Sequence, residues 1–394
     1  MEGAGRVCRR RLSSHARVSP MKMPAPLTIR TVTSLEEFKG LAQEWDQLLR
    51  TVPGHSLFLT WEWLYYWAKH YLGDNRLSIL LALDEHQRLI GIAPLYLRTT
   101  RVQGLMSVRD LRFLGSEAVC SSYLDVIVTE QHKPALLQSL YHYLFNEARG
   151  EWDILTLSEV PAESSTVDDW NALFEEAGKV GEVLSTTCCP MIHLSGDIET
   201  YRAGLGRSRR YTLQRKKTCL ERVGLVEYSR LTAPAEVVPA FESLMTLHQQ
   251  RWGGAANGGV FANEHSRQFH KEIVQVLSEQ GRVSLDLLKL DGRPIAAIYG
   301  FVYQGVYYFY LPGFDPTAVP KASPGLLLLS HRIEEAIHDG MQAVDLLQGA
   351  QRYKLECATN LRRMLTLRYY NRRTRAVALK LLESGKQAVK VLLR

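Results

Sequence analysis

The 394-residue sequence predicts an α/β (α+β) protein of two tandem units, each a mixed, mainly antiparallel sheet flanked by helices. Three observations carry that prediction. Strand-type alternation and helix-type periodicity follow one another in the same order in each half. Arg76–Leu97 matches Arg282–Tyr303 in pattern, and Leu140–Leu157 matches Leu328–Leu347, at an offset of about 200 residues; that is a domain length, well beyond the roughly 20–50 residues of a solenoid repeat. The composition is that of a globular chain, 46% hydrophobic and 23% charged, and no uninterrupted apolar run approaches the roughly 18–20 residues that span a bilayer.

Each element follows from local signals. Residues 1–26 carry six Arg/Lys against one Glu and lack the apolar core of a secretory signal, so they read as a disordered basic extension. The first unit, residues 27–190, opens with an alternating strand, Leu27–Val32. Ser34 then caps an amphipathic helix running to Leu49, and Thr60 caps an aromatic helix containing Trp61–Trp67. Leu77–Leu83 and Arg88–Leu97 form a hairpin across the polar turn Asp84–Gln87, with Pro94 marking an edge or a bulge. Strands follow at Leu111–Leu114 and Tyr123–Val128, a helix at Lys133–Ala148, and a closing strand at Asp153–Leu157.

The second unit, residues 191–370, repeats this order after a basic helix, Arg207–Arg222. It has a strand Leu225–Ser229, helices Ala235–Gln250 and Glu264–Ser278, and a hairpin of Val283–Leu290 and Pro294–Tyr303 around the turn dipeptide Asp291-Gly292. Strand Val306–Leu311, helix Pro324–His338 and strand Ala343–Leu347 complete it. Residues 371–394 interleave apolar residues with Lys and Arg, the pattern of an amphipathic tail that packs on the body or lies on an anionic membrane surface.

The formal net charge is +7, but residues 1–26, 201–222 and 371–394 carry +5, +7 and +6, so the rest of the chain is net −11. Basic character this local points to an anionic ligand at particular places, and away from a DNA-binding protein basic throughout. Six cysteines stand at no metal-ligand spacing, so no metal is predicted, and their usage fits a reducing cytosol.

Several residues have the chemistry of a site. Trp63 and Trp67 share one helical face and offer an aromatic platform for a substrate, with core packing as the alternative. Arg209 and Arg210, with Arg215, Lys216 and Lys217, crowd like charges on one helix, which an anion would relieve. His248, Arg251 and Trp252 end a helix before a Gly-rich loop that reaches Phe261. His248 has the ordinary pKa of a proton-transfer group near pH 7, and Arg251 offers a bidentate clamp for carboxylate or phosphate. Asp345, inside an apolar strand, is either a buried general base or half of an ion pair with Lys354 or Arg352; Tyr353 and Lys354 follow it.

This element order resembles the GNAT acyltransferase fold, and the tandem arrangement resembles the Fem-type transferases. Over residues 27 to 370, Phe58-x-Thr60-Trp61-x-Trp63-Leu64-x-x-Trp67, His248-x-x-Arg251-Trp252 with Gly258-Gly259-x-Phe261, and Tyr310-x-x-Gly313-Phe314-Asp315-Pro316 occur in order. Ser323-Pro324-Gly325 and Asp345-Leu346-Leu347-x-Gly349-x-x-x-Tyr353-Lys354 complete the series, which resembles the CelD/BcsL-type acetyltransferases of bacterial exopolysaccharide clusters. The resemblance implies acetyl-CoA as acyl donor, lying along the strand that contains Tyr310. Its pyrophosphate would rest at the helix entrance Lys321, Ser323 and Gly325, where unpaired N–H groups and the helix dipole favour an anion. The usual Arg/Gln-x-x-Gly-x-Gly/Ala loop is absent from both halves.

The acceptor implied is a sugar amine or hydroxyl, with Asp345 or His248 as base and Tyr353 as the acid that protonates the departing thiolate. The implied setting is cytoplasmic or peripheral at the inner membrane face, in contact with a polysaccharide synthase. Two alternatives stand beside it: Fem-like aminoacyl transfer from tRNA, and a non-catalytic module that regulates a polysaccharide synthase.

Overall fold

The computed structural model describes residues 27–102, 106–117, 119–178, 181–194, 196–252, 259–371 and 377. The expected basic extension, most of the Gly-rich loop and the amphipathic tail lie outside those residues.

The first half contains β1 (Thr28–Val32), α1 (Leu35–Gly40), α2 (Ala42–Thr51), α3 (Trp61–Tyr71), β2 (Arg76–Leu77), β3 (Ile79–Leu83), β4 (Leu89–Ala93), β5 (Leu95–Val102) and β6 (Met106–Phe113). It continues through β7 (Ile127–Val128), α4 (Lys133–His142), β8 (Ile154–Pro161), α5 (Ser165–Glu176) and β9 (Glu182–His193). The second half has α6 (Ile198–Gly204), α7 (Arg207–Glu221), β10 (Val226–Leu231), α8 (Pro234–Trp252), α9 (Glu264–Glu279), β11 (Val283–Leu290), β12 (Arg293–Tyr303) and β13 (Val306–Phe314). It ends with α10 (Pro324–His338), β14 (Ala343–Asp345), α11 (Arg352–Leu355) and β15 (Asn360–Tyr370).

The local signals act where they stand. Ser34 Oγ accepts the Glu37 amide at 3.2 Å and Thr60 Oγ1 accepts that of Trp63 at 3.5 Å, each satisfying an amide that the first helical turn leaves unpaired. The helix expected to run from Ser34 to Leu49 is two helices that meet at Leu41. Lys133–Ala148 is α-helical only to His142 and widens to a π-turn over Tyr143–Glu147. The expected strand Tyr123–Val128 shrinks to β7; Tyr123, at its start, takes a left-handed conformation (φ 61°) that breaks the regular pleat. Pro94 stands between β4 and β5, where the hairpin passes from one sheet to the next.

Both halves share one mixed α/β plan. In each, an antiparallel hairpin is followed by a third antiparallel strand, which then pairs in parallel with the strand after a helix: β5–β6 then β6–β8, and β12–β13 then β13–β14. The joining of the halves is an exchange. β9 lies beside β14 of the second half (Met191 opposite Asp345), β15 lies beside β8 of the first (Tyr369 opposite Leu155), and β9 and β15 pair with each other at the centre. The result is an eleven-stranded sheet, β10-β11-β12-β13-β14-β9-β15-β8-β6-β5-β2, with β1-β3-β4-β7 as a second sheet.

One apolar core runs through both halves. Trp63, wholly buried, sets its ring edge-on to Phe269, Phe301 and Tyr310 of the second half and donates its indole N–H to Ser121. The aromatic helix is therefore core, and the expectation of a substrate platform at Trp63 is corrected: its ring has no surface to offer. On the opposite face of the β11–β14 sheet, α10 buries Leu327, Leu328 and Ile333 against Ile298, Tyr307 and Val344.

Candidate active site

The site begins with a divergence of two strands. β13 and β14 pair only over Val306–Tyr308 and Ala343–Asp345; beyond Tyr308, β13 continues to Phe314 along β12 alone. After Asp345 the chain turns away through Leu347 (φ 53°) and Gly349 (φ 126°) into α11. The wedge between them is a cleft of about 540 Å³, closed on one side by the end of α8 and reaching Cys120 of the first half. Glycine lets α8 come this close: a Cβ at Gly313 would lie 2.6 Å from the His248 backbone nitrogen, too near for any side chain.

Of the residues singled out in the sequence, His248, Arg251, Trp252, Tyr310, Tyr353 and Lys354 line this cleft. His248 is 2% exposed, with its ring edge-on to Phe261 and its Nδ1 unpartnered. Burial, with the nearby Arg251 charge, pushes its pKa down to about 4, which corrects the expectation of a group titrating near pH 7: the imidazole is neutral there and weakly basic. Arg251 donates from Nη1 to the Pro312 carbonyl at 3.2 Å, and its guanidinium lies 5.0 Å from the Trp252 ring and 5.1 Å from that of Phe314. It also faces the Tyr353 hydroxyl, whose pKa burial raises and Arg251 moderates. Tyr310 is tied to the first half through its hydroxyl, which donates to the Val119 carbonyl at 2.5 Å.

Lys354 is 6% exposed and donates from Nζ to the carbonyls of Leu346 (2.6 Å), Gln348 (2.9 Å) and Leu347 (3.4 Å), gathering the turn after β14 around itself. Burial lowers it to about 8. Neither ion pair expected for Asp345 forms, because Lys354 serves these carbonyls and Arg352 pairs with Glu356 at 2.6 Å. Asp345, 1% exposed, accepts the Leu347 amide at 2.8 Å through Oδ1, faces Tyr123 and leaves Oδ2 unpartnered. Burial raises its pKa. It stands behind the lining formed by Leu347 and Gln348, one layer from the cleft.

Lys321, Ser323 and Gly325 lie at the start of α10. Ser323 is left-handed (φ 51°) and receives Lys216 Nζ on its hydroxyl at 2.6 Å; Lys216 also reaches the Lys321 carbonyl at 3.4 Å. Phe314 connects this helix start to the cleft, touching Arg251 on one side and standing 3.1 Å from where a Gly325 Cβ would be. Arg209 and Arg210 are not brought to the cleft. Arg209 pairs with Glu356 at 2.5 Å, and Arg210 donates to the carbonyls of Arg202, Ala203 and Leu205 at the end of α6.

Sequence reasoning missed Cys120, Tyr123, Glu159 and Gln348. Cys120 and Gln348 form the cleft wall toward the first half, and Gln348 donates from Nε2 to Glu159 at 3.3 Å. Nothing in the local sequence marks Glu159. It lies inside β8, after the apolar run Ile154–Leu157, and only the pairing of β8 with β15 turns it toward the second half. Among the described residues, no group of three or more His, Cys, Asp or Glu is placed to hold a metal, and no helix is long and apolar enough to cross a membrane.

Residues 207–355, which include β13, β14 and most of the cleft lining, match the family model of the acetyltransferase (GNAT) domain. None of the curated proteins compared with the chain matches it. Among solved structures, FemX is similar over 84% of this chain and 96% of its own at 13% identity, with a TM-score of 0.55. The C-terminal domain of a putative lysylphosphatidylglycerol synthetase from Agrobacterium fabrum is similar over 88% and 95% at 11% identity, with a TM-score of 0.52. A conserved protein of unknown function from Bacteroides thetaiotaomicron is similar over 87% and 99% at 10% identity, with a TM-score of 0.50. At such identities the likeness is one of fold.

Proposed function

We propose that the protein is an acyltransferase that takes an acyl group from a thioester donor, acetyl-CoA, and joins it to the amine or hydroxyl of a sugar. The observation that carries this reading is the divergence of β13 from β14, which opens a cleft inside the segment that matches the acetyltransferase model. Beyond Tyr308 the edge of β13 released from β14 is free to meet an extended donor arm, and Arg251 fixes the carbonyl of Pro312. Farther out, the Lys216 ammonium beside Ser323 gives the start of α10 a positive charge suited to a phosphate-bearing donor. Transfer proceeds by attack of the acceptor on the thioester carbon. Tyr353, beside Arg251, supplies the proton that the departing sulfur takes up. The placement of this reaction in exopolysaccharide or envelope assembly rests on the resemblance of the motif strings.

A second donor, an aminoacyl group on tRNA, is favoured by α7: among the described residues Arg207, Arg215 and Arg222 make no ion pair, whereas Arg209 does. Calorimetry and thermal shift with acetyl-CoA, CoA and charged tRNA separate the two. A ligand at 100 times its Kd stabilises the fold by about 2.7 kcal/mol. Stabilisation by acetyl-CoA and CoA is expected. Stabilisation by charged tRNA alone selects the second donor, and no response to any of the three removes the acyltransferase reading.

A further inference from the structure

The wall of the cleft opposite α8 has a conformation that ordinary packing does not ask for. Nine described non-glycine residues have left-handed φ. Gln87, Asp291 and Gln304 occupy hairpin turns, where that conformation is routine. Four others, Cys120 (49°), Tyr123 (61°), Glu159 (60°) and Leu347 (53°), lie in this one wall or directly behind it. Cys120 and Leu347 line the cleft, Tyr123 faces Asp345, and the Glu159 carbonyl receives the Leu124 amide at 3.0 Å. Left-handed backbone at a bulky residue is costly and persists where surrounding structure enforces it, most often at sites of function.

Glu159 is the residue this arrangement presents. The pairing of β8 with β15 slips between Leu365 and Leu367: Val160 is opposite Leu365 and Leu157 opposite Leu367, so Ser158 and Glu159 share the space of Thr366. Such a bulge re-aims a side chain. The carboxylate stands behind Gln348 and, unlike the fully buried Asp345, is only half-buried; it is turned to the neutral donors Thr187 Oγ1 at 3.4 Å and Gln348 Nε2 at 3.3 Å. Gln348 lines the cleft, and Cys120, which lines it too and is exposed there, lies near enough for the Glu159 charge to act on its thiol. Across the cleft, His248 brings its unpartnered Nδ1 to the other wall.

We infer that the acyl-transfer site is composite: the second unit holds the donor, and Glu159 of the first unit takes the proton from the acceptor as it attacks beside Cys120. This rests on the thioester-donor reading above. The acceptor's lone pair forms the new bond to the acyl carbon, and its N–H or O–H proton passes to the Glu159 carboxylate. The carbon–sulfur bond breaks, and the sulfur leaves with its electron pair and is protonated by Tyr353. Burial raises Glu159 to about 7, so it accepts a proton readily in the neutral range. The titratable groups facing it are the thiols of Cys120 and Cys189, with Lys354 beside Cys120 and Asp345 beside Cys189.

Cys120 gives a test that needs no knowledge of the acceptor, because its thiol lines the cleft in which the acceptor would attack. Bromoacetyl-CoA, bound as the donor is, places an electrophilic carbon there. Attack by the Cys120 sulfur forms a thioether, bromide leaves, and the thiol proton goes to Glu159. Mass spectrometry should find Cys120 alkylated, CoA should protect it, and the wild-type rate should rise through pH about 7. Glu159→Gln should slow alkylation at neutral pH by about tenfold or more, with CoA affinity by calorimetry unchanged. Glu159→Asp should retain part of the rate.

Alkylation of Cys120 at the wild-type rate in folded Glu159→Gln overturns the proton-acceptor role. CoA-protected alkylation confined to residues of the second unit overturns the composite site. If Glu159→Gln does not fold, the wild-type pH profile and Glu159→Asp decide alone, and a wild-type rate that rises only in the ordinary thiol range overturns the inference. Failure of CoA and bromoacetyl-CoA to bind, read by calorimetry, overturns the donor reading and the composite site with it.

Discussion

At the scale of single residues the cleft stores its chemistry as protonation that folding perturbs. Glu159 has an ordinary pKa of 4.5 and a folded one of about 7, raised chiefly by burial. Between those values the folded chain binds more protons than the unfolded one, so this group's contribution to stability falls as pH rises through that window and stays low above it. His248 acts in the opposite sense: lowered from 6.5 to about 4, it contributes stability that is present above its unfolded pKa and lost as pH falls toward 4. Glu159→Gln removes the first effect. Its Tm should match wild type near pH 4.5 and exceed it by about 2 °C above pH 7. A variant less stable than wild type at pH 8, measured by differential scanning calorimetry, would make Glu159 a structural residue.

At the scale of elements, α7 shows how a charged helix divides its charges. Arg210 closes the end of α6 by donating to three of its terminal carbonyls, Arg209 holds Glu356 beside α11, and Lys216 reaches Ser323 at the start of α10. Arg207, Arg215 and Arg222 remain on exposed positions. Arg210→Ala should therefore cost about 1 kcal/mol in a urea titration, the worth of a charged hydrogen bond at an exposed site. Gln at Arg207, Arg215 and Arg222 together should change stability by less than about 0.5 kcal/mol. The same triple variant should weaken and flatten the salt dependence of binding to an anionic ligand, and unchanged salt dependence would leave those arginines as solvated surface.

At the scale of the whole molecule the exchange of β9 and β15 makes each half depend on the other. Calorimetry should show one cooperative transition whose van't Hoff and calorimetric enthalpies agree. Fragments 1–194 and 195–394 expressed apart should not fold, since each lacks a strand that its sheet requires; two independent transitions would contradict this. The hairpins, the capped helices and the tandem plan were legible in the sequence because they depend on neighbours: Asp291-Gly292 makes its turn wherever it stands, and Thr60 caps α3 from three residues away.

β9 and β15 were not read as strands, because their partners are remote in sequence and both mix polar with apolar residues on partly covered faces. What hangs on them was equally hidden. Glu159 is aimed by a slip against β15, and Asp345 is set back from the cleft where β14 meets β9. Six cleft residues were found because their types advertise chemistry, whereas a glutamate in a bulge does not.

The shared sheet also limits how the two units move against each other. Two lobes on a linker open by swinging about a hinge. Here a swing would shear the ladder between β9 and β15, which runs from Glu182 to Met191 against Asn360 to Arg368 and crosses the boundary between the units. The two units that wall the cleft are thus held in a common frame by backbone hydrogen bonds along the strands. The turn Leu346–Gln351 belongs to the same frame, since Lys354 gathers it by three carbonyls. A single buried ammonium thus ties the cleft's outer turn to walls that the sheet already holds fixed.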